Sequence, residues 1–365
     1  MKYSEKDLVQ IAKRENNTKR SYLVVDPLQG KHVPVSPKRA LSLFDCLAEE
    51  LSGKYKEERL LLIGFAETAT AIGAHVAISM GTKYMQTTRE VIPGVEYLFF
   101  SETHSHATEQ KLVKDDIDAV IHDIDRIIFV EDEVTTGNTI LQIIRILQKA
   151  YKKNIKFAVA SLLNGMTKKH LEVFAAEKID LYYLVKTDHS QYGELADSFL
   201  EDGKYDDVNN TATNFIISNV EGWMNARRIL DSSEYEDACR VLAKKVIDRM
   251  EVNSNDRILV IGSEEFMYPA LYIGKEMEEL GYHVRCHSTT RSPIVVSSEK
   301  DYPLHHRYTL QSLYDSNRTT YIYDIEEYDQ VLVVTDSELK EQQGIQSLVG
   351  ALGKGCKKIN IIRWC

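Results

Sequence analysis

Short apolar runs alternate with amphipathic stretches through the first half of the chain. The apolar runs predict β-strands at 59–64, 97–101, 126–132, 156–162 and 181–185. Apolar positions at helical spacing predict helices at 66–80, 137–151 and 167–178. Short strands separated by helices are typical of a mostly parallel sheet with helices on both faces. Such sheets bind ligands at the carboxyl ends of their strands, so we expect the functional residues in the loops that follow the strands.

The second half of the chain repeats the pattern of the first. Four pairs of segments resemble each other in the same order: 58–80 and 256–277, 87–89 and 289–291, 123–132 and 326–336, and 17–20 and 225–228. An ordered set of this kind indicates an internal duplication. A polar, acidic segment at 190–214 interrupts the rhythm and predicts the connection between the copies. The sequence therefore predicts an α/β protein with two Rossmann-like, doubly wound parallel-sheet domains, at residues 1–200 and 215–365.

Composition is that of an ordinary globular protein. Of the 365 residues, 43% are hydrophobic and 27% are charged, and the formal net charge is −10. An acidic chain is not typical of a general nucleic-acid or membrane-surface binder. The five cysteines are scattered without a CxxC pair, and neither a signal peptide nor an apolar run of membrane-spanning length is recognisable. We expect a cytoplasmic protein with free thiols that binds neither nucleic acid nor membranes.

The stretch RIIFVEDEVTTGNT at 126–139 carries the most informative chemistry. An apolar strand ends in the acidic pair Glu131–Asp132, and the loop then reads Thr135, Thr136, Gly137, Asn138 and Thr139. Such a loop points backbone N–H groups and hydroxyls at one spot before a helix N-terminus, which suits a phosphate monoester. The two carboxylates suit the vicinal hydroxyls of a ribose, and Gly137 permits a positive φ. An ordinary strand-to-helix turn with a threonine cap is the alternative.

This stretch resembles the phosphoribosyl-pyrophosphate (PRPP) loop of type I phosphoribosyltransferases. The resemblance implies that the first domain has the type I phosphoribosyltransferase fold. It also implies that Glu131 and Asp132 hold the ribose hydroxyls and that residues 135–139 hold the 5′-phosphate. In the second copy SELKEQQG, at 337–344, stands where TTGNT would follow the strand. The second domain is therefore expected to be a degenerate duplicate.

Two earlier segments have the composition of a pyrophosphate site. The loop that follows the first long strand contains Ala66, Glu67, Thr68 and Ala69, and by position it resembles the pyrophosphate loop of the same family. Close packing of helix on sheet explains the small residues equally well. Arg89 follows two threonines near a Pro-Gly turn and has the reach to bind pyrophosphate through two N–H groups. The alternative for Arg89 is a solvated surface arginine.

Glu102, His104 and His106 alternate, so an extended backbone places all three on one face. The pattern leaves open a metal site, an acid–base cluster, a set of donors to an anion, or a structural role. We predict that His104 and His106 are catalytic together with Arg89, Glu131 and Asp132. Glu102 is predicted to face the acceptor. Lys31 and His32, in LQGKHVPVSP, either cover the acceptor as a hood or form only a tight turn.

Nearly the whole chain resembles a two-domain bacterial family that joins an orotate-phosphoribosyltransferase-like domain to a domain named after the tetrapeptide TRSP. The match includes FSETHSHATE at 100–109, VEDEVTTGNT at 130–139 and the tetrapeptide itself at 290–293. The resemblance implies the synthesis of a nucleotide- or nucleoside-like metabolite, encoded near tellurite-resistance genes. In the second domain Thr289, Thr290, Arg291 and Ser292 predict an anion site. The alternative is that Arg291 pairs with a carboxylate and holds the domains together.

The predicted function is Mg²⁺-dependent transfer of ribose 5-phosphate from PRPP to a nitrogenous, base-like acceptor. Mg²⁺ would be held mainly by substrate oxygens and water, with Glu131 and Asp132 as candidate protein ligands and no other ligated metal. A PRPP-binding sensor without turnover and cleavage of a nucleotide in the reverse direction are the alternatives. Enzymes of this type are often dimers, so the resemblance also implies a homodimer.

Overall fold

The computed structural model describes residues 3–15, 20–100, 110–208 and 214–365. These residues form two compact units. Unit 1 contains Ser42–Thr187 and Met224–Asp237, and unit 2 contains Ser4–Leu41, Asp188–Trp223 and Ala238–Cys365. The units therefore interleave along the chain, whereas the predicted domains, 1–200 and 215–365, are continuous segments.

The described strands share the short length expected from the apolar runs. They are β1 (Gln10–Lys13), β2 (Tyr22–Val25), β3 (Leu60–Gly64), β4 (Lys83–Gln86), β5 (Tyr97–Phe100), β6 (Gln110–Val113), β7 (Arg126–Val134), β8 (Lys156–Asn164), β9 (Asp180–Lys186), β10 (Lys204–Asp207), β11 (Phe215–Val220), β12 (Leu230–Asp231), β13 (Arg257–Gly262), β14 (His283–Ser288), β15 (His306–Gln311), β16 (Thr319–Tyr323), β17 (Tyr328–Thr335) and β18 (Cys356–Trp364).

The described α-helices alternate with these strands in both units. They are α1 (Glu5–Leu8), α2 (Pro37–Leu51), α3 (Ala69–Met80), α4 (Lys114–Val120), α5 (Asn138–Ala150), α6 (Lys168–Ala176), α7 (Tyr192–Ser198), α8 (Ser232–Ile247), α9 (Tyr268–Glu279) and α10 (Gln342–Leu352).

Sheet 1 lies in unit 1 and has the strand order β12-β4-β3-β7-β8-β9. Its strands run parallel except for β12, which is antiparallel to β4. The central strand β7 pairs with β3 on one side and β8 on the other, and its residues 127–130 are fully buried. Burial on both faces explains why this run is continuously apolar and does not alternate.

Sheet 2 lies in unit 2 and has the order β11-β18-β17-β13-β14, with all neighbours parallel. Its strands β14-β13-β17-β18 repeat the order β4-β3-β7-β8 of sheet 1. An antiparallel pair of strands follows the corresponding strand in each unit, β5–β6 after β4 and β15–β16 after β14, and we call each pair a hairpin. Two parallel-sheet units with the same strand order confirm the α/β fold class and support the predicted duplication.

Most predicted elements of the first half correspond to observed ones, with different ends. Residues 97–100 do form a strand, but β5 pairs antiparallel with β6 outside sheet 1. The strand next to β3 in sheet 1 is instead β4, whose sequence KYMQ has no continuous apolar run to reveal it. The segment 190–214, which the sequence predicts as the connection between the copies, contains α7 and β10, and β10 pairs with β15.

The segment Met224–Asp237 joins unit 1 through backbone and side-chain contacts. Within it, β12 pairs with β4, and Arg228 donates two hydrogen bonds of 2.7 Å to the carboxylate of Asp116. A bidentate arginine–carboxylate pair fixes both partners in one geometry. In the described parts of the chain, no helix has the length and apolar character needed to cross a bilayer.

Candidate functional site

The loop between β7 and α5 lies at the carboxyl edge of sheet 1. Gly137 ends this loop with φ of 73° and is the residue that caps α5. A Cβ placed on Gly137 would lie 2.4 Å from Cζ of Phe174 and 3.3 Å from Cε of Met166. Side chains rarely adopt this backbone conformation, and here they would also meet a buried ring, so the turn requires glycine.

The N-terminus of α5 is held in place by its apolar face. Five side chains of the helix are buried at the spacing of one helical stripe: Ile140, Leu141, Ile143, Ile144 and Leu147. The amide of Asn138 donates to Oγ1 of Thr136 at 3.3 Å, while Thr135 and Thr139 remain half-buried. The first N–H groups of a helix lack partners within the helix and carry its positive dipole end. This arrangement suits an anion such as the phosphate of a monoester.

Glu131 and Asp132 lie on β7 directly before this loop and are half-buried. Burial raises the pKa of Glu131 well above its ordinary value, and the charges of Asp132 and Glu133 raise it further. Glu133 was not singled out from the sequence, although it continues the same acidic run. Neighbouring carboxylates that oppose each other's ionisation favour a ligand that brings hydroxyl donors or positive charge.

Mg²⁺ is compatible with this pair of acids. The ion prefers oxygen ligands, keeps several of its waters and is often held by one or two carboxylates together with substrate phosphates. Burial raises the pKa of Glu131, the charges of Asp132 and Glu133 raise it further, and a bound cation would favour the ionised carboxylate. Within the described ranges, no three His, Cys, Asp or Glu side chains come together as a metal site.

The predicted pyrophosphate loop follows β3 in the same sheet. The helix α3 begins at Ala69, so the predicted helix start at residue 66 is wrong and residues 66–68 belong to the loop. The peptide bond between Ala66 and Glu67 is cis. The amide of Ala66 donates to Oγ1 of Thr87 at 2.8 Å, and Thr87 is fully buried. The loop is therefore fixed by a side chain from the neighbouring strand's end.

Close packing of helix on sheet accounts for two other small residues near this loop. A Cβ on Gly73 would lie 2.8 Å from Cα of Gly64, and a Cβ on Gly64 would lie 2.7 Å from Oη of Tyr84. These contacts bring α3 against β3, so the packing interpretation holds for the two glycines. It does not involve the backbone of residues 66–68, whose role as an anion loop stays a prediction.

Arg89 follows β4 and is half-buried. The two threonines before it are fully buried, and Thr88 exchanges backbone hydrogen bonds with Lys111 of β6 at 2.9 and 3.0 Å. The position of Arg89 is thus fixed at the carboxyl edge of sheet 1, near the hairpin β5–β6. The predicted face of Glu102, His104 and His106 falls between the strands of this hairpin and lies outside the described residues.

Lys31 and His32 belong to unit 2 and are both buried. Nζ of Lys31 donates to the backbone oxygens of Glu264 at 2.9 Å and Thr289 at 3.0 Å. The ring of His32 lies edge-on to that of Tyr323, with centroids 6.5 Å apart. Carbonyl oxygens satisfy the donors of a buried ammonium group. The proposed contact of Lys31 and His32 with an acceptor stays a prediction.

The TRSP segment of unit 2 follows β14. Arg291 pairs through Nε with Oε2 of Glu264 at 2.7 Å and through Nη2 with Oε1 of Glu265 at 3.2 Å. Oγ1 of Thr289 accepts from the amide of Glu264, and Oγ1 of Thr290 accepts from the amide of Ser292. Arg291 therefore binds carboxylates of its own unit. The predicted use of residues 289–292 as a site for an external anion stays a prediction.

Comparison with protein families gives two adjoining matches. Residues 8–189 match the family described as phosphoribosyl transferase, and residues 226–352 match the TRSP domain that lies C-terminal to it. The chain belongs to this family. It is a phosphoribosyltransferase with a C-terminal TRSP domain, as the resemblance of the sequence implied. No curated protein sequence matches the chain.

Solved structures similar to this phosphoribosyltransferase include adenine phosphoribosyltransferases. The enzyme from Rhodothermus marinus is 15% identical, with a TM-score of 0.37 over 50% of this chain and 96% of its own. The enzyme from Giardia lamblia, complexed with 9-deazaadenine, is 16% identical, with a TM-score of 0.34 over 50% and 95%. The enzyme from Trypanosoma brucei, in complex with AMP, pyrophosphate and ribose-5-phosphate, is 12% identical, with a TM-score of 0.35 over 49% and 76%. Similarity at this level says nothing about the acceptor of this chain.

The structure also reveals residues that support the candidate site and that the sequence did not identify. Phe174 and Met166 pack against Gly137, and Nζ of Lys186 donates to the backbone oxygens of Asn164 and Met166 at 2.9 and 2.6 Å. These residues come from α6, the end of β9 and the loop after β8. They are separated from the PRPP-type loop in sequence and carry no motif, so only the fold brings them to it.

Proposed function

We propose that this phosphoribosyltransferase transfers ribose 5-phosphate from PRPP to a nitrogenous, base-like acceptor in the presence of Mg²⁺. The observation that carries the proposal is the Glu131–Asp132 pair immediately before a glycine turn and a helix N-terminus. One end of this arrangement suits a phosphate and the other suits ribose hydroxyls. Both lie on one strand–loop–helix unit, from β7 to α5.

The 5′-phosphate is assigned to the loop of residues 135–139. Its acceptor oxygens meet the backbone N–H groups at the start of α5 and the threonine hydroxyls. Glu131 and Asp132 accept hydrogen bonds from the ribose hydroxyls. The pyrophosphate is assigned to the loop Ala66–Ala69, with Arg89 as the cation that neutralises it. Bound Mg²⁺ would supply further neutralisation of the pyrophosphate, with Glu131 and Asp132 as its protein ligands.

The reaction substitutes nitrogen for oxygen at the anomeric carbon of ribose. The bond from C1 to the pyrophosphate oxygen breaks and its electron pair leaves with pyrophosphate, while the acceptor nitrogen forms a bond to C1 and loses its proton. Positive charge develops on the sugar ring during this exchange. The carboxylates of Glu131 and Asp132 stabilise that charge, and the fixed loops hold the ribose in line between donor and acceptor. Glu102, His104 and His106 are the residues that we assign to the acceptor and its proton.

Pyrophosphate release tests this function directly. The protein is incubated with PRPP, Mg²⁺ and a panel of purine, pyrimidine and other nitrogenous bases, and pyrophosphate is measured over time. Release that depends on one acceptor supports transfer. Saturable PRPP binding without release under any acceptor would instead favour a sensor, and consumption of a nucleotide on addition of pyrophosphate would favour the reverse reaction.

Asp132→Asn is the variant that probes the site most sharply. It keeps the shape of the side chain but removes the charge, so turnover is expected to fall by at least about 10²-fold. Asp123→Asn is the matched control, because Asp123 precedes β7 in the same unit, is 73% exposed and pairs with Arg59 at the surface. Wild-type turnover in Asp132→Asn, with unchanged far-UV circular dichroism in both variants, would remove the proposed role of the acidic pair.

A further inference from the structure

The loops at the carboxyl edges of the two sheets are held by matching hydrogen bonds. In unit 1 the amide of Ala66 donates to Oγ1 of Thr87 at 2.8 Å. In unit 2 the amide of Glu264 donates to Oγ1 of Thr289 at 3.0 Å. Ala66 follows β3 and Glu264 follows β13, and the threonines follow the neighbouring strands β4 and β14. Glu264 thus takes the place that Ala66 has in unit 1.

The residues after these threonines match as well. Thr88 exchanges two backbone hydrogen bonds with Lys111 of the hairpin β5–β6, at 2.9 and 3.0 Å. Thr290 exchanges two with Tyr321 of the hairpin β15–β16, at 2.8 and 2.7 Å. The next residue is an arginine in each unit, Arg89 and Arg291. Arg291 is therefore the counterpart of the arginine that we assign to pyrophosphate in unit 1.

The carboxylate of Glu264 is surrounded by donors from three segments of unit 2. Its Oε2 accepts from Nε of Arg291 at 2.7 Å and from Nη1 of Arg318 at 2.9 Å. Its Oε1 accepts from Oγ of Ser312 at 2.5 Å. Glu264 and Glu265 are each only 1% exposed. Two guanidinium groups and a hydroxyl converging on one buried oxyanion form the kind of site that binds a phosphate group.

We propose that the carboxylate of Glu264 occupies, in the second unit, the anion position that corresponds to the pyrophosphate site of the first. The TRSP domain then keeps the anion-binding framework of a phosphoribosyltransferase but fills it with its own side chain. This assigns Arg291 to an internal ion pair and explains why two acids follow β13, where a free phosphate would be repelled. The inference goes beyond the proposed function, because it concerns the role of unit 2. It rests on the proposed function only for the assignment of pyrophosphate in unit 1, and its test does not depend on turnover there.

The backbone at Glu264 supports a specific role for its side chain. Glu264 has φ of 50°, in the left-handed region that costs a residue with a Cβ about 1 kcal/mol or more. Glycine would avoid this strain. A glutamate that adopts this conformation and is fully buried must be held by its contacts, which here are Arg291, Arg318 and Ser312.

The test is rescue of the full-length protein by an added anion. Glu264→Ala removes the carboxylate and leaves space beside two arginines, whereas the control Glu264→Gln removes the charge but fills the same volume. Thermal unfolding is followed in sodium phosphate and in sodium chloride at equal ionic strength. In chloride, Glu264→Ala is expected to lower the unfolding midpoint by about 5 °C or more. Phosphate is expected to restore at least half of that loss, over and above its effect on the wild type.

Each result of the unfolding experiment either supports or overturns the proposal. No phosphate-specific gain in Glu264→Ala, or an equal gain in Glu264→Gln, overturns the proposal. A gain that disappears in the double variant Glu264→Ala/Arg291→Ala supports it. A Glu264→Ala chain that folds in phosphate and not in chloride also supports it. If that variant folds in neither salt, calorimetry of the wild type with pyrophosphate decides: two molecules bound per chain overturn the proposal, and at most one supports it.

Discussion

At the scale of single residues, the site concentrates negative charge where a sugar would be held. Glu131, Asp132 and Glu133 follow one another on β7, and burial together with its neighbours raises the pKa of Glu131. A fold does not gain stability from such an arrangement, because each charge opposes the ionisation of the next. Residues that lower stability in this way are typical of functional sites.

The raised pKa of Glu131 has a consequence for stability. Because its pKa in the folded state lies above that of the unfolded chain, the folded protein binds more protons between the two values. The stability contributed by the protonated carboxyl is therefore present below the unfolded pKa and is lost as pH rises through the folded one. We predict that Glu131→Gln unfolds at a higher temperature than the wild type at about pH 8, and that this advantage shrinks towards about pH 4.

Differential scanning calorimetry over this pH range measures the effect. Glu177→Gln is a suitable control, because Glu177 is an acid of the same unit that meets Arg145 at the surface, at 3.7 Å with 43% exposure. An advantage of Glu131→Gln that is independent of pH, or that grows as pH falls, would contradict the assigned origin of the shift.

At the scale of elements, two strand–loop–helix units build the candidate site, β3 to α3 and β7 to α5. The second of these depends on one glycine, for two separable reasons. Gly137 has φ of 73°, and a Cβ there would lie 2.4 Å from the ring of Phe174. Gly81, at the end of α3, has φ of 63° but nothing within 4 Å of an added Cβ. Comparing alanine variants of Gly81 and Gly137 therefore separates the cost of backbone strain from the cost of a steric clash.

Substituting these glycines by alanine should give unequal effects. Gly81→Ala carries only the left-handed strain, about 1–2 kcal/mol of unfolding free energy. Gly137→Ala carries the same strain and must also displace Phe174, so its loss of stability should exceed that of Gly81→Ala by about 1 kcal/mol or more. Chemical denaturation of both variants measures the difference. Equal losses would show that Phe174 does not constrain the loop.

The sequence predicted the central elements because their patterns are local. A short stretch of sequence contains the apolar run of β7, the apolar stripe of α5 and the glycine between them. All three occur in the structure. The strand β4 was missed, because KYMQ has no apolar run of its own and forms a strand through pairing with β3 and β12. Phe174 and Lys186 were missed for a similar reason, because their role depends on where α6 and β9 lie in the fold.

At the scale of the whole molecule, the chain contains one α/β architecture twice. The strand order β4-β3-β7-β8 of sheet 1 is repeated as β14-β13-β17-β18 in sheet 2. In the sequence, this repetition corresponds to four pairs of weakly similar segments, which are informative because they occur in the same order. The interleaving of the two compact units was not predictable from these patterns. It arises from contacts such as the pairing of β12 with β4, which join residues far apart in sequence.

The two copies differ in their chemistry. The first copy retains the TTGNT loop and has Ala66 after β3, whereas the second lacks that loop and has Glu264 after β13. The sequence places two acids, Glu264 and Glu265, after β13. It did not reveal their partners, because Ser312 and Arg318 lie some fifty residues further along the chain. We therefore assign substrate binding to the first copy and a structural role to the second.

Titration calorimetry of the full-length protein with PRPP and Mg²⁺ tests the central claim most directly. The account predicts saturable heat corresponding to one PRPP per chain. Binding should weaken at least about tenfold, or about 1.4 kcal/mol, in Gly137→Ala and stay within about twofold of the wild type in Gly81→Ala. No heat with PRPP, or equal affinity in the wild type and Gly137→Ala, would contradict binding of the sugar phosphate at the loop between β7 and α5.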